Sequence, residues 1–354
     1  MDAVIDHGRQ CGGRWFRDDG ARAIPLMGTL QALSKIVLLA VVALTVPPPA
    51  QAADYPTRPV TIVVGFSAGG PIDLIARILA EHMHESLGQS VIIENVTGAA
   101  GSLAAGRVAR AAPDGYTINL GYLGTHVLNA AIYRLPYDPV ADFEPVALVT
   151  TNPLLLVARK TIAADNLAEL IGWLKAQPEP ATHGAAGVGT PAHVAGEFFQ
   201  QMTGTKLQFV PYRGTAQALQ DLDGGKIDLM FDQLANALPE VRAGMIKVYA
   251  ITARERSTLA PDIPTVDEAG LPGLYVAVWH GLWAPKGTPA EVISKLNRSV
   301  VDALADATVR RRLAEMGLEI APQALQTPEG LGAYQRQEIQ RWWPIVRAAN
   351  IKAE

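Results

Sequence analysis

One stretch decides the fold: Val60-Thr-Ile-Val-Val-Gly-Phe-Ser-Ala-Gly-Gly-Pro71. Its first five residues are apolar or β-branched, which predicts a buried strand over Val60–Val64. The glycine-rich loop that follows ends at Pro71, and proline is favoured in the first turn of a helix because it has no amide hydrogen to donate. Apolar residues then recur at helical spacing as far as Leu87, before Gly88. A strand, a glycine loop and a helix therefore open the fold.

The same alternation continues towards the C-terminus, which predicts βαβ units and an α/β fold with parallel sheets. The first set of units contains strand Val91–Ile93, helix Ser102–Ala111 and strand Thr117–Leu120. The second set contains helix Leu167–Ala176, a strand near Thr182, helix Pro191–Met202, strand Leu207–Pro211, helix Thr215–Leu222, and strands Ile227–Phe231 and Lys247–Thr252. We therefore predict two lobes, each with its own sheet.

Two long apolar segments, Val146–Ala158 and Tyr275–Ala284, separate the two sets. Their lengths suit strands that leave one lobe and enter the other. Two such crossings make a hinge between discontinuous lobes, with a cleft for a ligand between them. We expect lobe 1 to comprise residues 53–152 and 280–354, and lobe 2 to comprise residues 153–279.

The C-terminal tail has a different pattern. From Pro289 to Ala349 the apolar residues recur at helical spacing, so we predict that this segment is helical throughout. Two adjacent aromatic residues, Trp342 and Trp343, lie near its end. We expect both to pack on lobe 1.

Residues 1–52 resemble neither lobe. Lys35 precedes an apolar run over Ile36–Val46, which is followed by three prolines and Ala50-Gln-Ala52. A basic flank, a short apolar core and small residues at a cleavage site predict a secretory signal that is removed after Ala52. The run is about half as long as the roughly 20 residues that span a bilayer. We expect export to the periplasm and consider Met27 a candidate start.

Charge and cysteine content exclude several classes of function. The chain of 354 residues has a formal charge of -4. Five Lys and Arg against four Asp give the leader +1, which leaves -5 on the remainder, and so acidic a chain is a poor nucleic-acid binder. Cys11, the one cysteine, lies in the leader, so the exported chain has no disulfide or thiolate site. We expect no cofactor and no metal, and a monomer.

Two glycine loops carry the chemistry, Gly65–Pro71 in lobe 1 and Gly187–His193 in lobe 2. Each follows a predicted strand and precedes a helix, where free amides and the positive end of the helix dipole favour anions. Two such helix starts facing each other suit a small molecule with carboxylate groups, because ligands bind at the carboxyl ends of strands in open α/β sheets. Neither loop contains Arg or Lys, so we expect amides and water, not an ion pair, to hold the carboxylate. The alternative is a pair of tight turns.

An enzyme is the competing hypothesis. Gly65-Phe-Ser-Ala-Gly69 matches the G-x-S-x-G elbow of serine hydrolases, in which Ser67 would be the nucleophile. His193 and Asp232 are candidate partners, but their order along the chain is not that of the Ser, acid, His triad of such hydrolases. Too few residues precede the first strand to supply an oxyanion-hole loop. We therefore expect no catalytic residues, with hydrolysis as the alternative.

Three further positions are candidate ligand contacts. Thr125 and His126 follow a predicted strand through two glycines and would project a hydroxyl and an imidazole towards the cleft, or else cap and pack within lobe 1. Asp73 lies in the first turn of its helix, where a carboxylate can cap free amides as well as bind a ligand amine. Asp232 follows a strand and would line the cleft or brace the hinge.

These residues belong to a series of motifs in a specific order. The series comprises Tyr55-Pro-x-Arg-Pro59, Phe66-x-Ala-Gly-Gly70 with Asp73 and Ala76-Arg77, Ala112-Pro-Asp-Gly-Tyr116, Gly189-Thr190 with His193, Pro211-Tyr212, Pro264-Thr-Val266, Gly270-Leu-Pro-Gly273 and Ala284-Pro-x-Gly-Thr-Pro289. From about Tyr55 to the C-terminus the chain resembles the substrate-binding proteins of tripartite tricarboxylate transporters, often called Bug receptors. One departure is Ser67, where a small apolar residue or proline is expected.

The resemblance implies a type II periplasmic-binding-protein fold with two lobes, a two-crossing hinge and a ligand cleft. It implies that backbone amides and bridging waters hold a di- or tricarboxylate, an acidic amino acid or an aromatic acid at the first loop. The implied partners are two membrane subunits of a transporter, or a sensor if the receptor is an orphan. The positions implied or considered for the ligand site are Phe66, Ser67, Ala68, Gly69, Gly70, Asp73, Thr125, His126, Gly189, Thr190, His193 and Asp232.

Overall fold

The computed structural model describes residues 55–352. The predicted signal segment, Met27 and the cleavage site after Ala52 lie outside these residues. The strands are β1 (Val60–Val64), β2 (Val91–Asn95), β3 (Thr117–Tyr122), β4 (Phe143–Arg159), β5 (Ala181–Ala185), β6 (Leu207–Pro211), β7 (Leu229–Gln233), β8 (Ile246–Ile251), β9 (Ala277–Pro285) and β10 (Glu319–Ile320). The helices are α1 (Pro71–Leu87), α2 (Ser102–Ala109), α3 (Asn129–Ile132), α4 (Leu167–Ala176), α5 (Pro191–Thr203), α6 (Thr215–Asp223), α7 (Leu234–Arg242), α8 (Ala290–Ala305), α9 (Ala307–Glu315) and α10 (Pro328–Ala348).

Lobe 1 is built on the sheet β2-β1-β3-β9-β4. Strands β1, β2 and β3 are parallel, as βαβ connections require, whereas β9 is antiparallel to both β3 and β4. The central strand β1 is almost fully buried and has no alternation of polar residues, which is typical of a parallel sheet covered on both faces. The predicted strand, loop and helix at Val60–Leu87 are confirmed.

Lobe 2 contains the second sheet, ordered β4-β7-β5-β6, with β8 also paired to β4. Strands β5, β6 and β7 are parallel, and β4 is antiparallel to β7 and β8. The two sheets share one strand, because β4 pairs with β9 through its first part and with β7 and β8 through its second. The prediction of a strand that leaves one lobe and enters the other is confirmed, and it continues through Thr150-Thr-Asn-Pro153 without a break.

The second crossing is tied to the first by a buried threonine. Thr252 Oγ accepts a hydrogen bond from the Leu154 amide at 2.8 Å and lies 2.6 Å from the Val276 carbonyl oxygen. Its backbone amide also donates to the Leu154 carbonyl. The residue is 1% exposed, so these groups have no access to water. The exact division into residues 53–152 with 280–354 and 153–279 stays a prediction.

The prediction of a wholly helical tail is wrong. Three helices, α8, α9 and α10, are interrupted by β10, in which Glu319 and Ile320 pair with Thr151 and Thr150 of β4. The antiparallel register satisfies backbone groups at the edge of the first sheet, which helical periodicity in the sequence does not reveal. None of the helices within residues 55–352 is long and apolar enough to cross a bilayer.

The two tryptophans of α10 contact different lobes. The Trp343 indole donates to the Val127 carbonyl in lobe 1 at 2.9 Å, as expected. Trp342 instead packs edge-on against Phe198 of α5, in lobe 2, with ring centroids 5.7 Å apart. Glu338 accepts hydrogen bonds from the indoles of both Trp342 and Trp279 of β9. The C-terminal helix therefore contacts both lobes and the crossing strand.

We predict that Thr252→Val lowers the free energy of unfolding by about 1–3 kcal/mol, because it removes the closer of the two acceptors of the buried Leu154 amide and the hydroxyl donor to the Val276 carbonyl. Chemical unfolding of the exported chain measures the change. Thr258→Val is the matched control: it is the same substitution at an exposed threonine and should change stability by less than about 0.5 kcal/mol. Equal stabilities of the two variants would contradict the proposed tie between the crossings.

Candidate functional site

A cavity of about 460 Å³ lies at the carboxyl ends of β1, β5, β6 and β7. Both lobes contribute to its wall, together with both crossing strands. Its lining comprises Phe66, Ser67, Gly70, Pro71, Ile72, Tyr122, Leu154, Ala186, Thr190, Pro191, Ala192, Arg213, Thr215, Phe231, Asp232, Gln233, Val278 and His280. Five of the predicted site residues are among them: Phe66, Ser67, Gly70, Thr190 and Asp232.

The first glycine loop presents an open helix start to this cavity. Gly70 is the N-cap of α1, and no side chain within residues 55–352 caps it, so the first-turn amides stay available to a ligand. The loop is held close to its neighbour: a Cβ on Gly65 would lie 2.6 Å from the Cα of Gly101. The Phe66 ring packs edge-on against Tyr122 at 5.4 Å. The sequence favours a rigid, amide-lined wall here.

Asp73 braces this loop from behind and does not line the cavity. Its carboxylate accepts hydrogen bonds from the Gly69 amide at 2.8 Å, from Arg77 at 2.8 and 3.1 Å, and from Asn95 at 2.9 Å. Burial alone would raise the pKa of Asp73, but these donors outweigh it and hold the pKa at about 2. Of the two roles considered for Asp73, the structure shows the structural one, in which the carboxylate accepts from a loop amide just before the helix.

The second glycine loop differs because its own side chains occupy part of the helix start. Thr190 is the N-cap of α5, and its hydroxyl accepts from the His193 amide and donates to the Gly187 carbonyl. His193 Nδ1 accepts from the Gly189 amide at 3.0 Å. Burial lowers the pKa of His193 to about 4, so the ring is neutral and can accept at neutral pH. Gly189 and His193 therefore shape the loop behind the cavity wall.

A third helix start, which was not among the predicted site elements, completes the wall of lobe 2. Gly214 is the N-cap of α6, no side chain of the described chain caps it, and Thr215 lines the cavity. Arg213 precedes it, is exposed, and forms no salt bridge within residues 55–352. The order of a strand (Leu207–Pro211), a glycine (Gly214) and a helix is the same as at the two glycine loops. The sequence pattern that identifies this helix start was therefore present. The expectation that amides and water, not an ion pair, hold the carboxylate rested on the two glycine loops alone, and it stays a prediction.

Thr125 and His126 lie behind the first loop and not on the cavity wall. The Thr125 hydroxyl accepts from the Tyr122 amide at 3.1 Å and lies 3.0 Å from His126 Nδ1. The imidazole of His126 is fully buried and stacks on Trp283 with centroids 3.7 Å apart. Their alternative role, capping and packing within lobe 1, is the one the geometry displays. Ala68 and Gly69 are exposed at the loop tip and also lie outside the lining.

Two buried polar residues complete the cavity. His280 of β9 shares a hydrogen bond of 2.9 Å with the Thr150 hydroxyl, and burial lowers its pKa to about 4. Asp232 of β7 is 3% exposed, and burial raises its pKa to about 7. His280 was not among the predicted site residues, although a histidine inside the apolar segment Tyr275–Ala284 is a recognisable signal.

The hydrolase alternative receives no support from the geometry. The hydroxyl of Ser67 makes no hydrogen bond to a histidine within residues 55–352. His193, the proposed base, is engaged with the Gly189 amide, and its Nε2 faces Glu197 at 3.7 Å. In the described part of the chain no cluster of three or more His, Cys, Asp or Glu could hold a metal ion.

A second depression, of about 720 Å³, lies on the surface of lobe 1 between β4 and helices α8 and α10. Its wall includes Glu144, Asn297, Glu329 and Arg336. It borders β4 only at Glu144 and Pro145, near the start of that strand. It also lies away from the carboxyl ends of the parallel strands, where α/β sheets bind ligands. The cavity between the lobes is therefore the candidate ligand site.

Residues 75–351 match the family model described as tripartite tricarboxylate transporter family receptor. The chain belongs to this family. The receptor is 42% identical to MatC of Rhodopseudomonas palustris, a structure with bound malate, over 82% of this chain and 100% of that one, with a TM-score of 0.71. A second R. palustris structure, with adipate, is 36% identical over 84% and 100%, with a TM-score of 0.73. BugT of Bordetella pertussis is 34% identical over 86% and 93%.

These likenesses confirm the resemblance seen in the motifs and the fold of a two-lobed periplasmic binding protein. The receptor is accordingly a solute-binding protein. Its cavity lies where the two-crossing hinge and the carboxyl ends of the parallel strands meet.

We predict that Asp73→Asn costs the receptor about 1–3 kcal/mol of unfolding free energy at pH 7, because Arg77 loses its anionic partner and one of the two acceptor oxygens is replaced by a donor. The folded pKa of Asp73, about 2, lies below its ordinary value of 3.8. Its contribution is therefore complete above about pH 4 and is lost as the pH falls through about 2. Urea unfolding of both proteins between pH 2 and 7 measures the difference.

Asp165→Asn is the matched control for this experiment. Asp165 pairs with Lys247 at 2.8 Å, but its side chain is 88% exposed. An exposed pair contributes less than about 1 kcal/mol. A cost for Asp73→Asn that does not decline in acid would contradict the assigned role.

Proposed function

We propose that the chain is a periplasmic receptor that captures a small carboxylate in the cavity and delivers it to the membrane subunits of a tripartite tricarboxylate-type transporter. It acts by binding and not by catalysis. The main support for this proposal is that the cavity has the uncapped start of α1 on one wall and the cation Arg213 on the opposite wall. One carboxylate would meet the first-turn amides of α1 beside the Phe66–Gly70 loop, directly or through water, and a second negative group would meet Arg213.

The electrostatics of the cavity favour this assignment. His280 is neutral at physiological pH because burial lowers its pKa to about 4, so it adds no positive charge. Arg213 is thus the one side chain of the described lining that carries a positive charge. The relatives solved with malate and adipate both hold dicarboxylates, which have the two anionic ends that such an arrangement can receive.

Isothermal titration of the exported chain, residues 53–354, tests the proposal. The protein is first unfolded and refolded to remove any copurified solute. Succinate, malate, aspartate, adipate, citrate, glutarate and benzoate are then titrated, and a melting scan checks each hit, because a ligand of the folded state raises the melting temperature. We expect micromolar or tighter binding of at least one of them. A folded protein that binds none of these acids, while a neutral solute such as a sugar raises its melting temperature, would overturn the proposal.

We predict that Arg213→Gln weakens binding of a dicarboxylate about tenfold or more, since a charge-assisted hydrogen bond is worth about 1.5–3 kcal/mol. Binding of the corresponding monocarboxylate should change less than about twofold. Lys206→Gln removes an exposed cation outside the cavity and is the control. An equal loss in both variants would indicate that overall charge and not contact with Arg213 attracts the ligand.

A further inference from the structure

Asp232 is an acidic residue in the wall of a cavity that is built for an anion. It is the one acidic side chain of the described lining. One carboxylate oxygen, Oδ1, accepts hydrogen bonds from the Gln233 amide at 2.7 Å and from Asn236 Nδ2 at 3.2 Å. The other oxygen, Oδ2, is buried and has no partner within residues 55–352. A buried carboxylate with one oxygen unsatisfied is costly, so its presence requires a reason.

The backbone fixes where this carboxyl group lies. Asp232 is in β7, directly opposite Leu155 of β4, and its neighbours Phe231 and Gln233 line the same cavity. Gln233 is in turn held by Asn152 Nδ2, which donates to its side-chain oxygen at 2.9 Å. Rotation of the carboxyl group would break the two hydrogen bonds that hold Oδ1.

Burial raises the pKa of Asp232 to about 7, and the local donors oppose this rise, so the ionised form is well populated at pH 7 and predominates above it. Both groups that reach Oδ1 are donors, and the carboxylate lies at the start of α7, where the helix dipole attracts negative charge. An ionised Asp232 repels a ligand that presents only carboxylates to it. A ligand that brings a hydroxyl or an ammonium group turns the same residue into a partner, because Oδ2 then accepts a hydrogen bond.

Building on the proposed carboxylate receptor, we propose that Asp232 makes the cavity select carboxylates that also carry a hydrogen-bond donor, a hydroxyl or an ammonium group, over analogues that lack it. A site with a buried acceptor rejects a ligand that leaves the acceptor unpaired far more strongly than an apolar pocket rejects a misfit. The ligand class is thus a hydroxy acid or an amino acid.

The test compares ligands of one chain length. L-Malate and L-aspartate carry a hydroxyl and an ammonium group on the four-carbon skeleton of succinate, and 2-hydroxyglutarate and glutamate do the same for glutarate. We expect titration to give the donor-bearing acid at least about tenfold tighter binding than its donor-free analogue, in whichever series binds. The two donor-bearing acids in that series distinguish a hydroxyl from an ammonium ligand.

The substitution Asp232→Asn tests whether the side chain at this position accepts a hydrogen bond from the ligand or donates one to it. Asparagine can keep its oxygen on Gln233 and Asn236, but it places an N–H₂ group where Oδ2 was. We expect the preference to fall to within about twofold, mainly through weaker binding of the donor-bearing acid. If Asp232 instead were protonated and donated to a ligand carboxylate, the variant would retain the wild-type preference, and the proposal would be wrong. Asp302→Asn, an exposed acid remote from the cavity lining, is the control.

The wild-type ratio alone decides the matter if the variant does not fold. Donor-free acids that bind as tightly as their hydroxy and amino counterparts would overturn the role of Asp232 while leaving the carboxylate receptor intact. Failure of every acid to bind would instead overturn the proposed function itself. The two failures are therefore distinguishable in one set of titrations.

Discussion

The structure depends on one strand that belongs to two sheets. β4 runs for 17 residues, and it pairs with β9 before Leu154 and with β7 and β8 after it. Because hydrogen bonding fixes the register of both sheets to the same strand, the carboxyl ends of β1 and of β5, β6 and β7 meet at one place. The cavity is the result, and Leu154, the residue at which the pairing changes, contributes to its wall.

Much of this arrangement could be predicted from the sequence, because local patterns decide it. Glycine loops, β-branched runs and helical spacing gave β1 with α1, and β6 with α6, to within a residue or two. The tail could not be predicted in the same way. Glu319 and Ile320 form β10 because an edge of β4 is available to pair with them, and this is a property of the folded sheet. Trp342 likewise contacts Phe198 through the approach of two helices that are distant in sequence.

In the candidate site too, some residues could be predicted from the local sequence, and others are placed by contacts between distant parts of the chain. Phe66, Ser67, Gly70, Thr190 and Asp232 were predicted because each follows a predicted strand, and all line the cavity, although β7 extends far enough to include Asp232. Thr125 and His126 satisfy the same rule, yet the chain turns them inwards, where His126 stacks on Trp283. His280 breaks the rule: it lies within a strand and reaches the cavity because β9 crosses between the lobes. Which face of a crossing strand borders the cleft is decided by packing and not by sequence spacing.

In the proposed binding mode, the two walls of the cavity have different roles. The lobe 1 wall offers backbone amides at the start of α1, which attract any carboxylate and discriminate little. The chain beyond its leader is acidic, so this attraction must be local, and Arg213 strengthens it at short range. The lobe 2 wall contains Asp232, which weakens the binding of a plain anion. Such a group lowers the affinity for every carboxylate. It still improves specificity if it lowers the affinity for competing carboxylates more than the affinity for the preferred ligand. On this proposal, specificity arises from the cost of leaving the Asp232 acceptor unpaired, set against an attraction that all carboxylates share.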